Sequence, residues 1–187
     1  SLMDEIGRRI GAFVEGRRAE RPRLHTEDRD GPVIVGGYGR VGKMIAQVLD
    51  AEDVPWVALE ADPYEVANAR KGGAPVFFGD ATRKEVLLKA GANRAPAFVV
   101  TLSHPQLAER MVRAVRSEWP DAKLFARAKD WKHADHLRDL GVDNVIPEAV
   151  EGSLQLAAHV LDGLGFDEDL VADRIELERE RAKTSHA

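Results

Sequence analysis

The sequence predicts an α/β fold in which a doubly wound parallel sheet carries helices on both faces. Between residues 31 and 165, six short apolar runs alternate with segments whose apolar residues recur at helical spacing. A glycine-rich turn follows the first run. Strands that alternate with helices join into a parallel sheet through right-handed crossovers, and the expected strand order is 3-2-1-4-5-6.

The first half of this region contains three predicted strands, at 33–36, 56–59 and 75–78. After the first strand, apolar residues at helical spacing predict an amphipathic helix. Asp62-Pro63 predicts the start of a second helix, since proline suits the first helical position, and Gly72-Gly73 predicts its end. A short helix is predicted over 83–90.

The second half contains three more predicted strands, at 97–100, 123–126 and 144–147. His104-Pro105 opens a longer helix, a polar helix then runs to Gly141, and another helix is predicted over about 153–164. The six strands make a Rossmann-like sheet between Gly31 and about Pro147. This leaves no room for a separate substrate domain, which disfavours most dehydrogenases.

Two flanking segments complete the predicted organisation into 1–30, 31–165 and 166–187. Residues 1–30 combine an amphipathic stretch with a polar linker. That stretch is either a solvated terminal helix or a helix that lies against a membrane surface or a partner. Residues 166–187 form a charged tail that is helical by composition. The predicted helix at 153–164 is apolar around much of its circumference, which predicts a second buried face and a homodimer.

Composition excludes several classes of protein. The net charge of −5 gives no case for nucleic-acid binding, so no nucleic-acid partner is expected. The chain has no cysteine, which excludes disulfides and thiolate metal sites and fits a reducing compartment. A hydrophobic fraction of 44% is enough for a packed core.

The turn Gly37-Tyr38-Gly39-Arg40-Val41-Gly42 has the G-x-G-x-x-G pattern of a nucleotide site. Its first glycine allows the turn, the second lets a pyrophosphate approach the backbone, and the third lets the helix pack close to the strand. Glu60 closes the second strand, where a carboxylate would accept hydrogen bonds from a ribose and repel a 2′-phosphate. Asp62 strengthens that bias or simply caps the next helix. NAD or another adenosine nucleotide is therefore favoured over NADP.

Three further residues stand at strand ends that border the same crevice. Asp80 either hydrogen-bonds the base or caps the next helix. Thr101 is expected to face a ligand. Arg127 either neutralises a phosphate or pairs with Glu148. These positions extend the predicted site beyond the glycine turn.

A search for catalytic and metal-binding groups gives little. His133 and His136 form either a fragment of a metal site or, more commonly for such a helix, a solvated face. Ser103-His104 has no assignable acid partner, so a hydrolase arrangement is unsupported. We therefore expect no catalytic residue and no metal ligand, and a protein that is not an enzyme.

The chain resembles the RCK or KTN domain, also called the TrkA N-terminal domain, of bacterial potassium channels and cation/proton antiporters. Within that family it looks most like the cytoplasmic regulatory domain of Kef-type potassium/proton antiporters. The similarity covers about 31–165. It rests on the strand and turn at 32–42, Gly79-Asp80-Ala81-Thr82-Arg83, Ala126-Arg127-Ala128-Lys129-Asp130, Leu137-Arg138 through Gly141-Val142, and 148–165.

The resemblance implies a ligand-sensing regulator that binds NAD(H) or AMP and gates a membrane transporter. It also implies a homodimer and attachment to the inner membrane through a transporter segment, with residues 1–30 as the linker. Carried over by position, the implied nucleotide contacts are Gly37, Gly39, Arg40, Glu60, Asp80, Ala81 and Thr101. Arg127 matches an arginine that helps to bind glutathione in glutathione-gated members. The segment after Gly165 lacks their asparagine, so the resemblance does not extend to glutathione gating.

Two other functions stay open at this point. One is an NAD-dependent oxidoreductase, which would need a proton donor near the nicotinamide. The other is a stand-alone potassium-uptake regulator of the TrkA type, which would bind a separate membrane subunit.

Overall fold

The computed structural model describes residues 30–184. Its centre is a six-stranded parallel sheet in the order β3-β2-β1-β4-β5-β6, which confirms the predicted fold and strand order. The strands are β1 Val33–Gly36, β2 Trp56–Glu60, β3 Val76–Phe78, β4 Ala97–Val100, β5 Lys123–Ala128 and β6 Asn144–Pro147. The amphipathic stretch predicted near the N-terminus lies outside the described residues.

Seven α-helices are described between residues 30 and 184. They are α1 Arg40–Ala51, α2 Pro63–Lys71, α3 Lys84–Lys89, α4 Pro105–Glu118, α5 Trp131–Asp139, α6 Glu148–Gly163 and α7 Glu168–Thr184. A 3₁₀ turn at Ala92–Arg94 lies between α3 and β4. No helix in this part of the chain is both long and apolar enough to cross a membrane.

The core divides into two layers because successive residues of a strand point to opposite faces of the sheet. Val33 and Val35 of β1 belong to one apolar cluster with residues of α1 and α2. Ile34, between them, belongs to the other cluster, with residues of α3, α4 and α5. All four residues of β1 are buried, as expected for a central strand that is covered on both sides.

The helix before the C-terminal segment begins earlier than predicted. Periodicity places its start near residue 153, but α6 begins at Glu148, directly after Pro147. Its first turn contains Glu148 and Glu151, whose carboxylates stabilise a helix N-terminus. These charged residues interrupt the apolar spacing, so the sequence pattern predicts only the later turns of the helix.

The apolar surface of α6 is largely open within the described chain. None of its residues is buried, and Leu156, Val160 and Leu164 are all more than half exposed. α7 packs beside α6, and Arg179 of α7 pairs with Glu151 of α6 at 2.9 Å. The predicted second buried face is thus not supplied by residues 30–184.

Candidate functional site

The glycine turn joins the end of β1 to the start of α1. Gly37 has a φ of 96°, which L-residues with side chains rarely adopt, and its N–H donates to the carbonyl of Leu59 at 2.8 Å. A Cβ atom at Gly42 would lie 2.3 Å from the carbonyl oxygen of Gly37, so α1 can approach the turn only with glycine there. The roles predicted for these two glycines match the geometry.

Gly39 differs from both neighbouring glycines. Its φ is −73°, and an added Cβ would meet no heavy atom within 4 Å. Neither backbone strain nor packing within the protein requires glycine here. The open space above this residue is where a ligand could approach the backbone closely.

The N-terminus of α1 offers free hydrogen-bond donors at the same place. Gly39 occupies the N-cap position and has no side chain to cap the helix, and the first turn contains no acidic residue. The first intrahelical bond runs from Lys43 N to Gly39 O at 2.9 Å. The N–H groups of Arg40, Val41 and Gly42 precede it and have no intrahelical acceptor, so they face outward with the positive end of the helix dipole.

Glu60, the last residue of β2, reaches the glycine turn. Its Oε2 accepts from the N–H of Tyr38 at 2.7 Å. Its Oε1 accepts from the N–H groups of Ala61 at 2.8 Å and Asp62 at 3.0 Å. A carboxylate has about four acceptor positions, so one remains beyond these three bonds for a ribose hydroxyl.

Tyr38 and Asp62 have structural roles in the described chain. The Tyr38 ring is buried and stacked on Trp56, with 5.8 Å between ring centroids, and burial raises the pKa of its hydroxyl. The side chain of Tyr38 therefore packs in the core, and only its backbone contributes to the surface of the turn. Asp62 is the N-cap of α2, and its Oδ1 accepts from Tyr64 N at 2.8 Å, as in the capping alternative.

Thr101 stabilises the glycine turn through its hydroxyl, which contacts backbone carbonyls of the turn. It is buried, and its hydroxyl lies 3.1 Å from the carbonyl oxygen of Gly36 and 3.0 Å from that of Gly37. A hydroxyl hydrogen directed to those carbonyls is not available to a ligand. Sequence reasoning placed Thr101 at the right strand end but missed this contact, which depends on the pairing of β4 with β1.

The loop after β3 carries Asp80 and Ala81. Burial alone would raise the pKa of the Asp80 carboxyl, but hydrogen bonds from Thr82 and the charges of Arg110 and Arg83 outweigh it and lower that pKa. Asp80 Oδ1 accepts from Thr82 N at 2.9 Å. Ala81 is buried, and a Cβ at Gly36 would lie 3.4 Å from its Cβ. The loop therefore packs on the end of β1.

Arg127 and Arg40 share one carboxylate. Arg127 Nη1 lies 2.7 Å from Glu148 Oε2, which matches the pairing alternative, and Arg40 Nη2 lies 3.6 Å from Glu148 Oε1. The second contact was missed because Glu148 was assigned to the segment before a helix. The register of β5 with β6, in which Ala128 pairs with Pro147, places Glu148 beside Arg127. Arg40 comes close because β1, whose end leads into α1, is joined to these strands through β4.

His133 and His136 each contact a group within the protein. His133 Nδ1 accepts from Lys129 N at 3.2 Å, and His136 Nε2 lies 3.3 Å from Glu109 Oε2. Burial lowers the pKa of His133. Within residues 30–184, no group of three or more His, Asp or Glu side chains could hold a metal ion.

Comparison with known proteins identifies the family. Residues 33–148 match the family described as the TrkA-N domain. The chain belongs to the TrkA-N family. It is 46% identical over 136 residues to "K(+) efflux antiporter 1, chloroplastic" of Arabidopsis thaliana, and this match covers 73% of the chain and 11% of the antiporter. It is 35% identical over 168 residues to the "Glutathione-regulated potassium-efflux system protein KefC" of Salmonella paratyphi B, which covers 90% of the chain and 26% of KefC.

A solved structure supports the same assignment. The AMP-bound Kef C-terminal domain of Shewanella denitrificans has a TM-score of 0.72 and 29% sequence identity, covering 83% of this chain and 94% of that one. The TrkA-N domain is therefore of the Kef type, as the sequence resemblance implied. The chain spans about a tenth to a quarter of the length of these curated antiporters.

Proposed function

We propose that this TrkA-N domain binds an adenine nucleotide, AMP or NAD(H), and regulates a potassium efflux antiporter to which it is attached on the cytoplasmic side. The glycine turn carries the proposal: the open backbone at Gly39 and the free donors of α1 lie beside the carboxylate of Glu60, which has an acceptor position left for a ribose hydroxyl. The AMP bound to the Kef domain of Shewanella denitrificans supports the choice of ligand.

The role of Glu60 can be tested with paired ligands. Calorimetry with AMP and with 2′-deoxy-AMP measures how much the ribose hydroxyl contributes to affinity. We expect the wild type to prefer AMP and Glu60→Gln to lose most of that preference, because the amide is a weaker acceptor than a carboxylate. Equal affinity of the wild type for both ligands would contradict the assignment of Glu60.

Glu60 also holds the turn, so its substitution needs a control. Glu52→Gln removes the same charge from the exposed C-cap residue of α1, at the opposite end of that helix from the free amides. Thermal unfolding of both variants separates a loss of fold from a loss of ligand contact. Calorimetry with NAD, NADH and ATP then ranks the nucleotides.

We also propose that the domain is a homodimer through α6 and α7. Besides the exposed apolar side chains of α6, a cavity of about 500 Å³ lies between the two helices and is lined mainly by Leu161, Phe166, Leu170 and Leu177. Such contiguous apolar surface is typical of a protein interface. A second copy brings the same surface in a symmetric arrangement.

Light scattering tests the dimer. The double substitution Val160→Asp with Leu164→Asp should yield a monomer with an intact fold, because both side chains are exposed on α6. Tyr64→Asp, an exposed aromatic position on α2, is the control and should leave the dimer intact. A wild-type monomer at all concentrations would overturn the proposal.

A further inference from the structure

Glu148 links the glycine turn to the proposed dimer helix. It is the first residue of α6, and its two carboxylate oxygens reach different arginines. Arg40 begins α1 beside Gly39, whereas Arg127 stands near the end of β5. One carboxylate thus bridges two guanidinium groups from separate elements.

The two arginines differ in how firmly they are held. The Arg127 side chain is 22% exposed and its contact with Glu148 is 2.7 Å, a distance typical of a charge-assisted hydrogen bond. The Arg40 side chain is 89% exposed and its contact is 3.6 Å, so water and salt weaken it. Arg40 can therefore be drawn away from Glu148 by a stronger acceptor.

A cavity of about 250 Å³ lies beside Arg127 and Glu148, between α1 and strands β4 to β6, and its lining is mostly apolar. Neither Arg40 nor a glycine of the turn lines it. The place for an anionic acceptor is therefore the free amides at the start of α1, next to Arg40. A phosphate at the N-terminus of α1 would meet Arg40 and experience the negative charge of Glu148 at the same time.

We propose that Glu148 is an internal competitor for the anionic group of the ligand, and that it sets the affinity of the site for phosphate-bearing ligands. The inference rests on the proposed function. When a phosphate takes Arg40, Glu148 keeps only Arg127, and the first residue of α6 loses one of its two ion pairs. Nucleotide binding thereby alters the start of the helix that carries the proposed dimer surface.

The test compares Glu148→Gln with Glu151→Gln by calorimetry. Glu151 lies in the same first turn and has the same charge, but it pairs with Arg179 of α7. We expect Glu148→Gln to bind AMP about threefold to tenfold more tightly than the wild type does. Adenosine, which has no phosphate, should bind all three proteins equally, and Glu151→Gln should bind AMP like the wild type.

A second measurement uses the unaltered protein and guards against a misfolded variant. Hydrogen exchange of amides 151–154, the first with acceptors inside α6, should become faster in the wild type when AMP saturates it. Two results would overturn this inference alone, provided that the wild type binds AMP. One is an unchanged AMP affinity in a folded Glu148→Gln variant, and the other is unchanged exchange at these amides in the wild type. No binding of AMP or NAD to the wild type would overturn the proposed function and this inference with it.

Discussion

Substitution of Gly39 by alanine separates ligand binding from folding at the glycine turn. In the described chain, a Cβ at this position meets no heavy atom within 4 Å, and the backbone has a φ of −73°. A glycine that is required only for folding would show a clash or a positive φ, as Gly42 and Gly37 do. Gly39 shows neither, so we expect alanine at this position to weaken ligand binding and to leave the fold intact.

The expected stability change is small because two effects oppose each other. Alanine is a poorer N-cap residue than glycine, which costs about 0.5–1 kcal/mol. Alanine also restricts the unfolded chain, which stabilises the folded state by about 0.4–1 kcal/mol. The sum lies near zero. For the ligand, by contrast, a methyl group above the amides of α1 removes about one charge-assisted hydrogen bond, roughly 2 kcal/mol or thirtyfold in Kd.

Urea unfolding and AMP calorimetry on the same samples measure both quantities. Gly42→Ala is the matched control, because its Cβ would lie 2.3 Å from the carbonyl oxygen of Gly37. We expect it to lose about 1–3 kcal/mol of stability. If Gly39→Ala binds AMP as tightly as the wild type, the phosphates do not lie on this backbone and the proposed site is wrong.

Three further predictions concern the supporting structure. Thr101→Val should lower the free energy of unfolding by about 1–3 kcal/mol in urea, because it removes the hydroxyl that donates to the turn, and Thr101→Ser should restore most of the loss. Burial lowers the pKa of His133, so the folded state favours its neutral form. Its contribution to the free energy of unfolding is complete above the unfolded pKa of about 6.5 and is lost as the pH falls below that value. His133→Asn should therefore reduce the pH dependence of the free energy of unfolding in this range. Phe98→Ala should lower the free energy of unfolding by about 3–5 kcal/mol, measured as a lower urea midpoint, because Phe98 is fully buried and stacks on Trp119 with 5.5 Å between ring centroids. Phe125→Ala, at a more exposed position of the next strand, should lower it by less.

The sheet could be predicted from the sequence because its central strands, β2, β1 and β4, have no exposed residue on either face. Such strands have continuous apolar runs that stand out between helical patterns, as at 33–35 and 97–100. The crossover rule then restricts the topology, and the glycine turn identifies the strand at the switch point. Helix starts were less predictable, since Glu148 begins α6 without any apolar periodicity.

The candidate site was only partly predictable, for a physical reason. Strand ends identify which residues stand at the crevice, but they do not give the direction of a side chain or its partner. Tyr38 lies within the motif, yet its ring packs on Trp56. Thr101 stands at a strand end, yet its hydroxyl supports the turn. The contact of Arg40 with Glu148 joins residues far apart in sequence, and it depends on the order of strands β1, β4, β5 and β6 in the sheet.

The same contacts bear on how a nucleotide could act as a signal. A ligand shifts a conformational equilibrium only by the difference between its affinities for the two states. The turn itself is held by Thr101 and Glu60 before any ligand binds, so it offers the same amides in both states. The difference must then come from groups whose partners change on binding. In the described chain, the exposed Arg40 is the group that we propose to change partners, because its contact with Glu148 at the start of α6 is weak. Under the proposed function, the rigid turn would provide affinity and this displaceable ion pair would provide coupling.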